Sequence, residues 1–257
     1  MKNAIFQYYL SHNGVGKHGA EYPDETPDWA QRSVSYFSKY AEMHGADYYF
    51  STDSFVNATD NHFEALRTYK DPLFDQYDKV LFLDVDVMPH NMNANIFDVD
   101  VVDIAGWSEW RHPDLAVPVN YRSATRAIQR RYTAFGAPMV NSSRHPSDIR
   151  MLNTGMLLWS KQGRLKARES FGDHEKWFNY QNPLLDSTLD SKVVGHSSLC
   201  LDQVYLNAML NKFKFNVTEL PIEWNRLPTK DENRSCNFAH YLGQFRPNLV
   251  KIFKELK

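Results

Sequence analysis

Asp84 and Asp86 stand two residues apart at the end of a short run, Lys79-Val-Leu-Phe-Leu83, that is apolar after its lysine. A carboxylate at the end of a buried strand costs desolvation energy unless a positive partner compensates it. A hard divalent cation does so through oxygen ligands. In an extended chain residues i and i+2 face the same way, which predicts that both carboxylates reach one ion. Mg²⁺ or Mn²⁺ held by few protein ligands keeps positions open for phosphate oxygens. The competing reading of Asp84-Val85-Asp86 is a pair of carboxylates that caps a strand-to-helix turn.

The elements around this triplet alternate. Lys2–Leu10 reads as a strand, and Trp29, Val34, Phe37, Tyr40 and Ala41 recur at helical spacing after Asp28, a candidate N-cap. Ala46–Phe50 reads as a second strand. Phe63, Leu66 and Tyr69 outline another helix before Pro72. The unbroken apolar run 79–83 predicts a strand buried on both faces, as in a parallel sheet covered by helices. Further strands are expected at 101–106, Met151–Trp159 and Phe213–Leu220, with an amphipathic helix over Leu199–Leu210 and a closing helix over Pro247–Leu256. The alternation predicts an α/β fold with a mostly parallel central sheet flanked by helices. No repeat, linker or low-complexity tract divides the chain, so one domain over residues 1–257 is the expectation.

Formal net charge is −2, which argues against a polyanion binder and makes nucleic acid an unexpected partner. The arginine-rich stretch 111–150 holds seven arginines against Asp114 and Asp148, and reads either as a solvated helix face or as an acceptor- or phosphate-facing surface. Cys200 and Cys236 make neither a disulfide framework nor a metal knuckle. No apolar run approaches the ~18 residues of a membrane span, and the first residues do not read as a signal peptide. The expected location is cytoplasmic.

Tyr77-Asp-Lys-Val-Leu-Phe-Leu-Asp84-Val-Asp86 resembles the D-x-D strand of GT-A-fold glycosyltransferases, particularly glycosyltransferase family 8. Arg67 precedes it where that family carries a donor-contacting arginine. Asn153-Thr-Gly155 resembles the family's N-x-G strand, and Asp202-Gln203 its D-Q pair at a helix start. Leu220-Pro-Ile-Glu-Trp-Asn225 resembles L-P-x-x-W-N, and His240-Tyr-Leu-Gly243-Gln-Phe-Arg246-Pro247 resembles H-F-x-G-x-x-K-P, with Arg246 in place of the lysine. The pieces span residues 67–247 in the family's order.

The resemblance implies a single Rossmann-like GT-A domain that transfers a hexose from a nucleotide-diphosphate sugar, a UDP-sugar, to a glycan or other hydroxyl acceptor with retention. It implies Asp84, Asp86 and His240 as metal ligands, the imidazole favouring Mn²⁺ over Mg²⁺. Arg67, Val85, Asn153, Gly155, Gly243 and Arg246 would contact the donor. Gly243 would let backbone approach the diphosphate, and Arg246 would pair with its charge. Asp202 and Asn153 would select sugar hydroxyls, although Asp202 also suits a helix N-cap. Gln203, a poor nucleophile, would stabilise an oxocarbenium-like transition state. Two other readings of D-x-D are a haloacid-dehalogenase-type phosphatase, with Asp84 as nucleophile, and a non-catalytic nucleotide-sugar or glycan-binding module.

Overall fold

The computed structural model describes residues 1–11, 25–58, 61–108, 152–176, 201–227 and 235–241, together with 246, 248 and 250. The arginine-rich stretch 111–150, Gly243 and most of the helix expected over Pro247–Leu256 lie outside the described residues.

Six strands form one sheet: β1 (Asn3–Tyr8), β2 (Ala46–Ser51), β3 (Lys79–Leu83), β5 (Ile104–Ser108), β6 (Leu152–Ser160) and β7 (Val217–Glu219), in the order β2-β1-β3-β6-β5-β7. β1 pairs in parallel with β2 and β3, and β5 with β7, whereas β6 runs antiparallel to both β3 and β5. The sheet is therefore mostly parallel, with one reversed strand inside it. The two remaining strands, β4 (Val87–Pro89) and β8 (Phe238–His240), pair antiparallel beside it.

The apolar run 79–83 is buried as its composition predicts. Val80 and Phe82 enter one core with Phe6 and Trp159, while Leu81 and Leu83 enter the other with Ile5 and Leu158. Alternate residues of a strand point to opposite faces, so a sheet covered on both sides needs apolar residues at every position. Helix α1 (Asp28–Met43) covers the second face with Phe37, Tyr40 and Ala41. Its N-cap is Pro27 rather than Asp28, whose carboxylate instead sits in the first turn, where the helix dipole favours it.

The helix expected around Phe63–Tyr69 is a 3₁₀ segment, Asn61–Leu66, followed by the single turn α2 (Arg67–Lys70). The buried Glu64 carboxylate accepts from the backbone N–H groups of Phe55 and Val56 and the Ser54 hydroxyl, tying this segment to the preceding loop. After β6 the chain forms α3 (Lys161–Ser170), and later α4 (Leu201–Lys212). Helix α4 is not amphipathic: residues 202–210 are all buried. Its end explains why the expected strand Phe213–Leu220 contracts to Val217–Glu219. Lys214 takes a left-handed φ of 51°, its N–H bonds the Asn211 carbonyl, and the Phe215 N–H bonds that of Leu210. This is a Schellman closure, in which Phe215 packs back near the helix rather than starting a strand.

Asn207 docks α4 on β6. Its Oδ1 accepts from the Leu152 N–H at 2.9 Å and its Nδ2 donates to the Leu152 carbonyl at 3.0 Å. Asn207→Leu leaves both groups buried without that partner. It is expected to lower stability by about 1–3 kcal/mol per orphaned group, read from urea unfolding. An unchanged midpoint would show that the clamp is redundant. No described helix is long and apolar enough to cross a membrane.

Candidate metal centre

β1 leads outward to β2 on one side, and β3 lies on its other side, so the chain changes direction across the sheet between β1 and β3. Loops diverge at such a point and leave a crevice beyond the strand ends. A cavity of about 90 Å³ opens there, lined by Tyr8, Tyr9 and Leu10 from the end of β1, Trp29 of α1, Asp84, Val85 and Asp86 beyond β3, and Arg246.

The aspartates do not lie on extended chain, as their spacing alone suggested. They occupy a tight turn closed by the Val87 N–H on the Asp84 carbonyl at 3.1 Å. The turn, not strand alternation, brings the carboxylates together. It leads into β4, where Val87 lies opposite His240 of β8. The Tyr241 N–H donates to the Asp86 carbonyl at 2.8 Å, fixing the end of β8 against the turn. One ligand atom each from Asp84, Asp86 and His240 lies within 4.8 Å of the others. His240 Nε2 is 3.0 Å from Asp86 Oδ1 and 3.8 Å from Asp84 Oδ2.

Gly155 of β6 forms the floor. Its carbonyl accepts from the Asp84 N–H at 2.8 Å. A Cβ there would stand 2.2 Å from His240 Cε1 and 2.8 Å from Asp84 Oδ2. Only glycine lets the strand pass beneath the ligands.

The charges fit a cation. Asp86 is 2 % exposed and His240 1 %, and Asp86 Oδ1 and His240 Nε2 face each other at 3.0 Å. A buried carboxylate oxygen and a ring nitrogen aimed at each other can both turn to one metal ion, which suits them as ligands. Burial and then the Asp86 carboxylate raise the Asp84 carboxyl, although 41 % of its side chain still meets solvent. Burial also acts to raise Asp86, but the His240 ring and the Arg246 guanidinium outweigh it and hold Asp86 below the usual carboxylate range. Burial acts to lower His240, but the facing carboxylates outweigh it and raise it. Two carboxylates and an imidazole form a donor set for a divalent ion such as Mn²⁺.

The structure also gathers other residues that the sequence singled out. Arg246 Nε donates to Asp86 Oδ2 at 2.8 Å, and its guanidinium lies 4.8 Å from the Trp29 ring centre. Asp202 and Gln203, both buried, lie in the first turn of α4, and Asp202 is near enough to Asp84 to repel its charge. Gln203 Oε1 accepts from the Thr154 N–H at 3.5 Å, so the N-x-G strand and the D-Q helix start meet. Asn153, 6 % exposed, accepts at Oδ1 from Gly155 N–H and from Asn225 Nδ2. Val85 is buried between the aspartates. Arg67 is held elsewhere: its guanidinium bonds Asp71 and Ser51 between the Phe6 and Phe55 rings. It is not among the described residues lining the cavity. Asn225, which the spacing of residues gave no role, bonds the His240 ring. Its place in the L-P-x-x-W-N segment was the available signal.

No protein-family model and no curated protein matches this chain. Solved structures do. A glycosyltransferase involved in glycosylation of the major capsid of PBCV-1 is 14% identical with a TM-score of 0.48, over 96% of each chain. The galactosyltransferase LgtC, in complex with donor and acceptor sugar analogues, is 13% identical with a TM-score of 0.48, over 95% of this chain and 88% of that one. Mouse xyloside xylosyltransferase 1 is 11% identical with a TM-score of 0.46, over 95% of this chain and 99% of that one. Likeness at this level carries nothing about the activity of the present chain.

Proposed function

We propose that this chain is a metal-dependent glycosyltransferase of the GT-A kind, which moves a hexose from a UDP-sugar to a hydroxyl acceptor with retention of configuration. The observation that supports it most is the pair of buried, facing ligand atoms, Asp86 Oδ1 and His240 Nε2, joined by Asp84 at the rim of the β1–β3 crevice. The sequence motifs in family-8 order give the site its reaction class.

Asp84, Asp86 and His240 would hold the cation. A divalent ion there supplies Lewis-acid charge against the growing negative charge of a departing diphosphate. Arg246, anchored on Asp86, sets its guanidinium beside the same cavity, where it adds positive charge for phosphate oxygens. Tyr8, Tyr9 and Trp29 offer aromatic walls beside it. Asp202 can accept from sugar hydroxyls, and the Asn153 amide nitrogen can donate to them. Gln203 brings a neutral amide dipole rather than a nucleophile, which suits stabilising charge at the anomeric carbon. Gly243 is expected to let backbone reach the diphosphate, and Arg67 to support the donor side.

Two measurements test this. Mn²⁺ together with UDP-sugars is expected to raise the melting temperature more than either alone. A ligand at 100 times its Kd stabilises by about 2.7 kcal/mol, or roughly 5–10 °C for a chain of this size. Incubation with Mn²⁺, a labelled nucleotide sugar and hydroxyl acceptors is expected to yield a labelled glycoside. Release of phosphate instead would favour the phosphatase reading, and binding without turnover the non-catalytic one.

A further inference from the structure

We propose that Asn225 is a positioning residue that decides which nitrogen of His240 faces the cation, an inference that rests on the metal-site reading above. The polarity of the network is set at one end by a group that can only donate. The Gly155 backbone N–H lies 3.1 Å from Asn153 Oδ1, so that atom is the amide oxygen and it accepts. Asn225 places an amide atom 3.0 Å from the same oxygen, and that atom must be the donating nitrogen, Nδ2. The Asn225 oxygen is thereby turned to the other side, 3.2 Å from His240 Nδ1. An amide oxygen only accepts, so Nδ1 carries a proton. A neutral imidazole protonated at Nδ1 has its lone pair on Nε2, the nitrogen that faces Asp86 Oδ1 at 3.0 Å. All three side chains are buried: Asn225 is fully covered, His240 is 1 % exposed and Asn153 6 %. Water therefore has little access to substitute for any bond in the chain. A histidine that binds a metal through one nitrogen is commonly held by a hydrogen bond at the other, which fixes both tautomer and ring angle. Here that hold traces back through two amides to the backbone of the central strand β6. Asn153 thus shares in aiming His240, and the Gly155 N–H sets the sense of both.

The test measures Mn²⁺ alone binding to the otherwise intact protein, by calorimetry or by the spin-resonance signal of free Mn²⁺, without a sugar donor. Asn225→Leu keeps the volume and removes the acceptor. It is expected to raise the Mn²⁺ Kd by about 10–100-fold. Asn225→Ser, too short to reach Nδ1, is expected to weaken binding similarly, and serves if the leucine variant does not fold. Asn225→Asp combined with Asn153→Ala retains an acceptor for Nδ1 without setting two oxygens against each other, and is expected to bind Mn²⁺ more tightly than the leucine variant, which a merely space-filling role would not predict. Binding by the leucine or serine variant within threefold of wild type overturns the proposal. So does a double variant, Asn225→Asp with Asn153→Ala, that binds as weakly as leucine. A wild-type protein that takes up no Mn²⁺ overturns the metal site itself, and this inference with it.

Discussion

Asp86→Asn is expected to lower metal-dependent transfer by at least ~100-fold, since cation charge stabilisation is worth several kcal/mol and each 1.36 kcal/mol is tenfold in rate. Each oxygen of Asp86 has its own task. Oδ1 faces His240 Nε2 at 3.0 Å, and Oδ2 accepts from Arg246 Nε at 2.8 Å. Asparagine offers one oxygen where two are needed. If its amide nitrogen turns to Arg246, two donors face each other. If it turns to His240, the cation loses its carboxylate ligand. The variant also removes one of the two negative charges that balance a dication. The β3 strand before it stays buried on both faces, so the fold should persist. Circular dichroism should therefore match wild type while Mn²⁺ no longer raises the melting temperature. Transfer within tenfold of wild type would remove Asp86 from the metal.

Gly155→Ala should harm the site without replacing any ligand. The added Cβ would lie 2.2 Å from His240 Cε1, 2.8 Å from Asp84 Oδ2 and 3.0 Å from His240 Nδ1. The strand cannot recede easily, because β6 is laddered to β3 on one side and β5 on the other. The imidazole must move, and it is 1 % exposed. Overpacking of this kind costs about 1–3 kcal/mol of stability, and the displaced ring should weaken Mn²⁺ binding by roughly 10–100-fold, the range seen when a ligand loses its support. Gly106→Ala is the control. A Cβ there meets the side chains of Leu157 and Leu152 at 3.3 and 3.4 Å, away from the ligands. If both variants bind Mn²⁺ equally well, Gly155 is not the floor of the site.

The parts of this architecture that were legible in the sequence are those written in short stretches. The run Val80–Leu83 announces a doubly buried strand because every residue in it is apolar. Asp84 and Asp86 stand out because they interrupt it. Strand direction is another matter. Nothing in Leu152–Ser160 says that it runs against its neighbours, because apolar composition is the same either way. The three-residue strands β4 and β8 are too short for periodicity to show, yet their pairing is what places His240 opposite Val87. His240 was therefore accessible only through a motif resemblance. Arg67 was likewise singled out through the resemblance, and its bonds to Ser51 and Asp71 between two aromatic rings are set by the fold, with no short stretch to announce them. Helix α4 looked amphipathic because Asp202, Gln203 and Asn207 are polar. In the folded chain all three are buried, with Gln203 bonded to Thr154 and Asn207 to the Gln203 carbonyl.

The pairing of β4 with β8 means that the site joins two stretches remote along the polypeptide, with Arg246 reaching back 160 positions to Asp86. A ribosome must release the late segment before the early aspartates can gain their third ligand. Once seated, the ion would work as a clasp across that long loop, restraining the unravelled chain as a covalent cross-link does. Amide protons of Val87 and Tyr241 should then exchange with deuterium more slowly in Mn²⁺ than in chelator, a change visible without any sugar being moved.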